Sequence, residues 1–254
     1  MSDRLGRGTL WRMALRANLL QATWNYERQQ GVGWAYALQP ALEKLYPEAA
    51  VRSERLAEHT AYFNTQPTLA SLALGAAARL EEQRAAGQGP DAVGMARVKA
   101  VLGSTLAALG DRLFWFSLRP FAAALGVLVA LARPGSGSGA IVLWLCYASV
   151  HIGLRFAGVG IGYARGPAVL AGRLRRYLET AVTVLAYAGC IVLGVTLAYS
   201  LAPGGEPRPI AVESALAAGL GLGLLSAQRA RPSPTQWALG LGVLGVLAAW
   251  FRHG

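Results

Sequence analysis

The string Asn64-Thr65-Gln66-Pro67 places two carboxamides and a hydroxyl on successive residues. Asn and Gln each offer donors and acceptors, which suits sugar hydroxyls that present both. Pro67 disfavours helical geometry at the residue before it. A helix arriving from the N-terminal side therefore closes near Asn64 and leaves backbone carbonyls free for the same ligand. An Asn helix cap followed by a proline turn uses the same residues, and local sequence leaves both readings open. His59 precedes the string and is a candidate for direct chemistry. Asp111 and Arg119 flank Phe114 and Trp115. Ionisable residues inside a membrane segment are costly and usually paired, but eight residues is about two helical turns, so a direct Asp111–Arg119 contact requires a break. One interfacial cap and one snorkelling arginine is the alternative. Glu27-Arg28 and Glu81-Glu82-Gln83-Arg84 carry less, because charged helix faces at a membrane surface are ordinary.

No Ser-His-Asp arrangement, metal-ligand cluster, Walker loop or dinucleotide fingerprint is present, so no catalytic residue, cofactor or metal is expected. A protein accepting phosphate from a relay needs an exposed His or Cys nucleophile, and nothing marks one. His151 lies in an apolar run and reads as a hydrogen-bonded packing residue, while His253 is a tail residue. Cys146 and Cys190 sit inside apolar runs as small core residues; two cysteines alone do not complete a zinc site.

The elements that position these groups are those of a membrane protein. Only 15% of residues are charged and 54% are hydrophobic, far from the roughly 25% charged of a soluble domain. Residues 181–201 carry no charge and match the roughly 20 residues of a spanning helix. Residues 140–163 form a second candidate, interrupted by His151 and Arg155. Shorter runs follow at 210–227 and 237–251, and 121–132 reaches spanning length only if 113–120 joins it. The net charge of +11 sits in arginine clusters beside these runs. That distribution argues for orientation by the positive-inside rule rather than nucleic acid. Arg165, Arg173, Arg175 and Arg176 put the 163–181 loop in the cytoplasm, and the polar, basic N-terminus does not read as a secretory signal.

Along the chain, Trp11, Ala14, Leu15, Leu19 and Ala22 recur at helical spacing with Arg12 and Arg16 on another face, as in an interfacial amphipathic helix. Helices are expected over 34–46, 51–63, 68–84 and 95–109, the last broken by Gly110-Asp111. None is long and apolar enough to span alone, so they read as broken or re-entrant helices. Gly158-x-x-x-Gly162 and Gly219-x-x-x-Gly223 offer small faces for helix packing. Residues 133–139 form a flexible connector. The expected architecture is all-α and polytopic: an amphipathic region at 1–30, a core of broken or re-entrant helices at 31–132, and transmembrane helices at 140–254.

Six strings recur in order: Leu20 through Arg28, Gly31-Val32-Gly33-Trp34-Ala35-Tyr36, Pro40 through Pro47, His59 through Pro67, Leu80 through Ala85, and Gly110-Asp111 through Arg119-Pro120. Over residues 10–165 they resemble the IID component of the mannose/fructose/sorbose family of sugar phosphotransferase systems. The resemblance implies a multi-pass protein of the bacterial inner membrane that assembles with a IIC subunit, as a trimer of IIC–IID pairs in the lipid bilayer. The pair carries a hexose inward while IIA and IIB proteins relay phosphate by histidines, so no residue of this chain is phosphorylated. It also implies sugar contact at Asn64, Thr65 and Gln66, and structural or gating roles for Asp111, Arg119, His59 and Glu27. Arg112 and Phe116-Ser117 depart from the pattern. The departures leave room for a non-transporting scaffold or regulatory subunit, and a membrane enzyme using Asp111, Glu81 and His59 is a third reading.

Overall fold

A computed structural model of the chain describes residues 5–200, with side chains as far as residue 196. The runs at 210–227 and 237–251, Gly219-x-x-x-Gly223 and His253 lie outside the described residues. Eight α-helices account for most of what is described: α1 Arg7–Arg16, α2 Gly31–Leu45, α3 Ala49–His59, α4 Ala70–Ala85, α5 Ala92–Leu113, α6 Arg119–Ala132, α7 Ser138–Arg165 and α8 Arg173–Ser200. Three helical runs are long and apolar enough to cross a membrane: Ala92–Ala132, Ser138–Leu170 and Arg173–Thr196. They correspond to the spans expected around 140–163 and 181–201, plus one that the sequence reading divided.

That division fails at Gly110-Asp111, which do not break the helix: α5 continues to Leu113 and passes through a π-helical turn, Phe114–Leu118, into α6. The wider turn has a physical cause two residues further on. A proline inside a helix clashes with the carbonyl four residues back, and Pro120 follows this turn. Ser117 Oγ donates to the Arg112 carbonyl at 2.8 Å, satisfying an oxygen near the widened turn. Residues 113–120 therefore do join 121–132.

The described residues form two units, one of residues 5–120 and 143–184, the other of 121–142 and 185–200. In the second, the Thr196 hydroxyl donates to Val192 O at 2.7 Å and also lies 3.3 Å from Ala124 O. Gly139 leaves room for the Gly126 carbonyl, close enough that a Cβ there would collide.

In the first unit α4 is the axis. Its residues Ala70 through Ala78 are buried without interruption, as are Leu80, Glu81 and Glu82, so as far as Ala78 no face is left for solvent or lipid. It packs against α2, α5 and the turn at 166–170. Small side chains make this crowding feasible: Cβ atoms built on Gly158 and Gly162 of α7 would strike Ser71 and the Leu72 carbonyl of α4. The small-residue face read from the sequence thus packs within the chain itself. α1 is held against α2 by its arginines: Arg16 donates to Gln39 Oε1 (3.1 Å) and to the Tyr36 carbonyl (3.3 Å). Arg12 lies 3.7 Å from Glu43. Met13, Ala14 and Ala17 are buried, while Trp11, Leu15 and Leu19 stay about half exposed (55%, 48% and 52%). Ala14 therefore leaves the outward apolar stripe, and Arg16 lies half-buried against α2 while Arg12 stays exposed at its rim.

The α4–α7 crossing gives a controlled test. Gly162→Ala drives a methyl into backbone and should lower the thermal midpoint of the detergent-purified protein, at a cost of about 1–3 kcal/mol. Gly153→Ala, with nothing within 4 Å of its added Cβ, should leave the midpoint unchanged or slightly raised. Equal midpoints for the two variants would remove the close-packing argument.

Candidate functional site

Two of the sequence strings turn out to be one structure. The segment Trp24 to Gln30 folds back on itself, with Gln29 N donating to Asn25 O (2.9 Å) and Arg28 N to Asn25 Oδ1 (2.8 Å). Gln29 pays for the reversal with a positive φ of 53°, a conformation costly for any residue with a Cβ. The segment then runs along the loop after α3: Gln30 N donates to Phe63 O at 2.8 Å and Phe63 N to Arg28 O at 3.3 Å. α3 consequently ends at His59, short of the expected Phe63, because residues 60–63 pair with this segment and the Thr60 hydroxyl turns back to Ala57 O (2.7 Å). Gly31 permits the approach, since a Cβ there would overlap the Thr60 and Ala61 carbonyls.

The loop places the three amide and hydroxyl residues very differently. Gln30 clamps Thr65 on both backbone groups, its Nε2 donating to Thr65 O (2.8 Å) and its Oε1 accepting from Thr65 N (3.0 Å). The Thr65 hydroxyl donates to Gly103 O at 2.8 Å. Gln66 Oε1 accepts from Thr68 N (2.7 Å) and Leu69 N (3.0 Å), so its carboxamide opens α4 as a cap would. Thr65 and Gln66 are buried; Asn64 is exposed. Asn64 instead lines a cavity of about 340 Å³, together with Glu58, Tyr62, Lys99 and Ser104 among others. Gly103 and Gly110, two turns apart on α5, make room for Asn64 O and for the Gln66 side chain respectively.

Behind the loop lies a buried polar cluster. His59 and Glu81 are both 0% exposed. Trp34 Nε1, which can only donate, lies 3.3 Å from His59 Nδ1. Nδ1 must accept, so the proton sits on Nε2, which donates to Glu81 Oε1 at 3.1 Å. Tyr46 OH donates to Glu81 Oε2 at 2.7 Å, and Arg84 lies 3.5 Å from Oε1. Arg84 also holds Glu58 through both of its oxygens, at 2.6 and 3.2 Å. Burial disfavours the imidazolium and holds the His59 pKa below its ordinary value. Burial also works against the Glu81 carboxylate, but hydrogen bonds from His59 and Tyr46 and the charge of Arg84 outweigh it, keeping its pKa low. Burial and the bond to Glu81 push the Tyr46 hydroxyl well above its usual range, so it stays a donor. The cluster holds a neutral histidine against an ionised carboxylate. His59 thus acts as a structural link and not as an exposed nucleophile.

The remaining expected residues lie apart from the cavity lining. Glu27 is exposed and 3.6 Å from its neighbour Arg28. Asp111 is half-buried and forms no ion pair with Arg119 among the described residues; Arg119 lies over the Trp115 ring at 5.2 Å. His151 packs as expected, 2.8 Å from Thr68 Oγ1 and stacked on Tyr147. Cys146 and Cys190 are free and half-buried. Among the described residues no cluster of metal-ligating side chains occurs. Sequence reasoning missed Lys99, which follows Arg97 closely in the chain, and Gln30, which falls between two of the strings.

The sequence profile of the PTS system mannose/fructose/sorbose family IID component matches residues 4–201. The chain belongs to this family. Relatives of this chain include the PTS system mannose-specific EIID component of Escherichia coli K12, 35% identical over 181 residues, which are 71% of this chain and 63% of that protein. The chain thus spans under two thirds of that relative's length. The fructose permease IID component of Bacillus subtilis is 32% identical over 75% of the chain and 69% of its own length. The sorbose-specific component of Klebsiella pneumoniae is 33% identical over 76% and 69%. A cryo-EM structure of the mannose transporter ManYZ with a microcin contains a chain of like fold, with TM-score 0.61 and 27% identity over 98% of this chain and 97% of that one. A second solved membrane protein aligns at TM-score 0.66 and 26% identity, over 97% of both chains.

The cluster predicts a pH dependence. A histidine with a depressed native pKa contributes its stability fully above about pH 6.5 and loses it as pH falls toward the native value. Glu81, also depressed, loses its contribution lower, below about pH 4.3. The unfolding temperature of the detergent-purified protein should therefore drop between about pH 7 and pH 5. His59→Gln, which can still accept from Trp34 and donate to Glu81, should flatten that limb and keep the more acidic one. An unchanged upper limb in His59→Gln would place the titrating group elsewhere.

Proposed function

We propose that this chain is the membrane-embedded IID subunit of a mannose-class sugar phosphotransferase permease. In this reading it works in the bacterial inner membrane with a IIC subunit, as a trimer of such pairs, taking up a hexose that IIA and IIB phosphorylate. The observation that carries the reading is the Asn64 carboxamide, exposed on a cavity wall by a loop whose other polar side chains are committed to backbone. A carboxamide with free donors and an acceptor is a group that recognises a polyol. Thr65 and Gln66 support the same site by fixing the loop, and their sugar-binding role is exercised through that placement. His59 backs the loop from inside. Asp111, Arg119 and Glu27 lie outside the cavity lining and are assigned to the membrane-facing scaffold. Phosphate passes between partners and not through this chain, in keeping with a buried, neutral His59.

The test joins composition with transport. Tagged protein purified from its native membranes in mild detergent should bring a stoichiometric IIC-type membrane partner, identified by mass spectrometry. Asn64→Ala should then cut hexose uptake about tenfold, the worth of a ligand hydrogen bond or two, with unchanged recovery of the complex. Recovery of the chain alone, or with soluble regulators only, would overturn the permease in favour of a scaffold.

A further inference from the structure

The cavity beside Asn64 has a second polar wall. Lys99 lies on α5, is 5% exposed, and lines the same cavity as Asn64. Its Nζ donates to the His59 carbonyl at 3.2 Å and lies 5.5 Å from the Trp34 ring centre and 6.0 Å from that of Phe63. An ammonium carries three donors. Among the described residues the His59 carbonyl is its sole hydrogen-bond acceptor, so two N–H groups are left to the ring faces and the cavity. Burying a cation with donors unmet is costly, and such groups are normally paired. Here the open side is the cavity.

The rest of the lining says what the acceptor is. Glu58, on the same wall, has its carboxylate engaged by Arg84 and Arg55. An anionic ligand would meet that carboxylate as well as the ammonium. A neutral polyol meets a donor at Lys99, a donor–acceptor pair at Asn64 and the hydroxyl of Ser104, without a like-charge contact. We propose that Lys99 donates a hydrogen bond to one hydroxyl oxygen of the sugar in this cavity and thereby sets which hexose is accepted. The assignment rests on the permease reading above and adds a residue to its site. It also gives α5 a role in recognition, since the loop supplies one wall and the helix the other.

Single-deoxy analogues of the transported hexose, competing with it for uptake by cells carrying the complete permease, decide the matter. Wild type should lose about tenfold in affinity for the one analogue that lacks the contacted hydroxyl. Lys99→Met should raise KM for the parent sugar about tenfold and compete equally with parent and that analogue. Asn64→Ala should keep the discrimination at that position. Lys99→Gln, which retains a donor, serves as the second variant if Lys99→Met does not assemble, and should show the same loss of discrimination in weaker form. Lys99 variants that rank the analogues as wild type does would reduce Lys99 to a clamp on His59 while leaving the permease intact. A wild type that takes up hexose but ranks every analogue equally would also overturn the assignment. With added hexose 6-phosphate as a further competitor, Lys99 variants that lose its inhibition alone and rank the deoxy analogues as wild type does would overturn the assignment in favour of an anion site. A wild-type complex that takes up no hexose would sink the permease reading itself, and this one with it.

Discussion

A carboxylate with no exposure near the C-terminal end of α4 is the constraint on which the first unit depends. Glu81 must be surrounded by donors or be neutralised, and the donors come from three directions: Tyr46 just beyond α2, His59 at the end of α3 and Arg84 from its own helix. Each has a second commitment. His59 also accepts from Trp34 of α2 and offers its carbonyl to Lys99 of α5. Arg84 also grips Glu58 of α3. The positions of α2, α3 and α5 around α4 are thus fixed by one charge as much as by apolar burial. Such clusters are costly when any member is missing, so the native arrangement is specified sharply rather than merely favoured.

The exposed amide of Asn64 is a product of that rigidity. The loop carrying it is pinned at Phe63 by the Trp24–Gln30 segment, at Thr65 by Gln30 and Gly103, and at Gln66 by the first turn of α4. A loop so restrained pays little ordering entropy when a ligand arrives. Thr65 and Gln66 are thus occupied by backbone partners, and the Asn64 carboxamide is left open on the cavity wall.

What the sequence made legible follows from which forces are local. The apolar runs, the all-helical class and the small-residue face at Gly158 and Gly162 depend on composition and spacing, and they were readable. So was the grouping of residues 59–67 as one string. The division of labour inside that string was not, because Thr65 and Gln66 are consumed by partners at Gln30, Gly103 and Leu69, none of which local spacing predicts. The continuous passage through Gly110-Asp111 was misread for a related reason. Gly110 looks like a breaker, yet its lack of a side chain serves Gln66 across a helix contact. Trp11 and Leu15 were placed on the right stripe, but Ala14 turned inward because α1 meets α2 through its arginines.

Glu82, next to the buried Glu81 carboxylate, ties together two stretches far apart in the chain, around Leu5 and Tyr163. Its Oε1 accepts from Leu5 N (3.2 Å) and its Oε2 from Arg79 (2.9 Å) and from the Tyr163 hydroxyl (2.7 Å). The ribosome delivers these partners far apart in time, Leu5 first and Tyr163 only after α7 is made. Until then α4 lacks both a hydrogen-bond donor and the helix whose glycines cover it. The order of synthesis therefore leaves the Glu82 hydrogen bonds and the packing of α4 incomplete until α7 is made. A chain truncated before Tyr163 would leave the Glu82 carboxylate without that hydroxyl donor and α4 without the glycine face of α7.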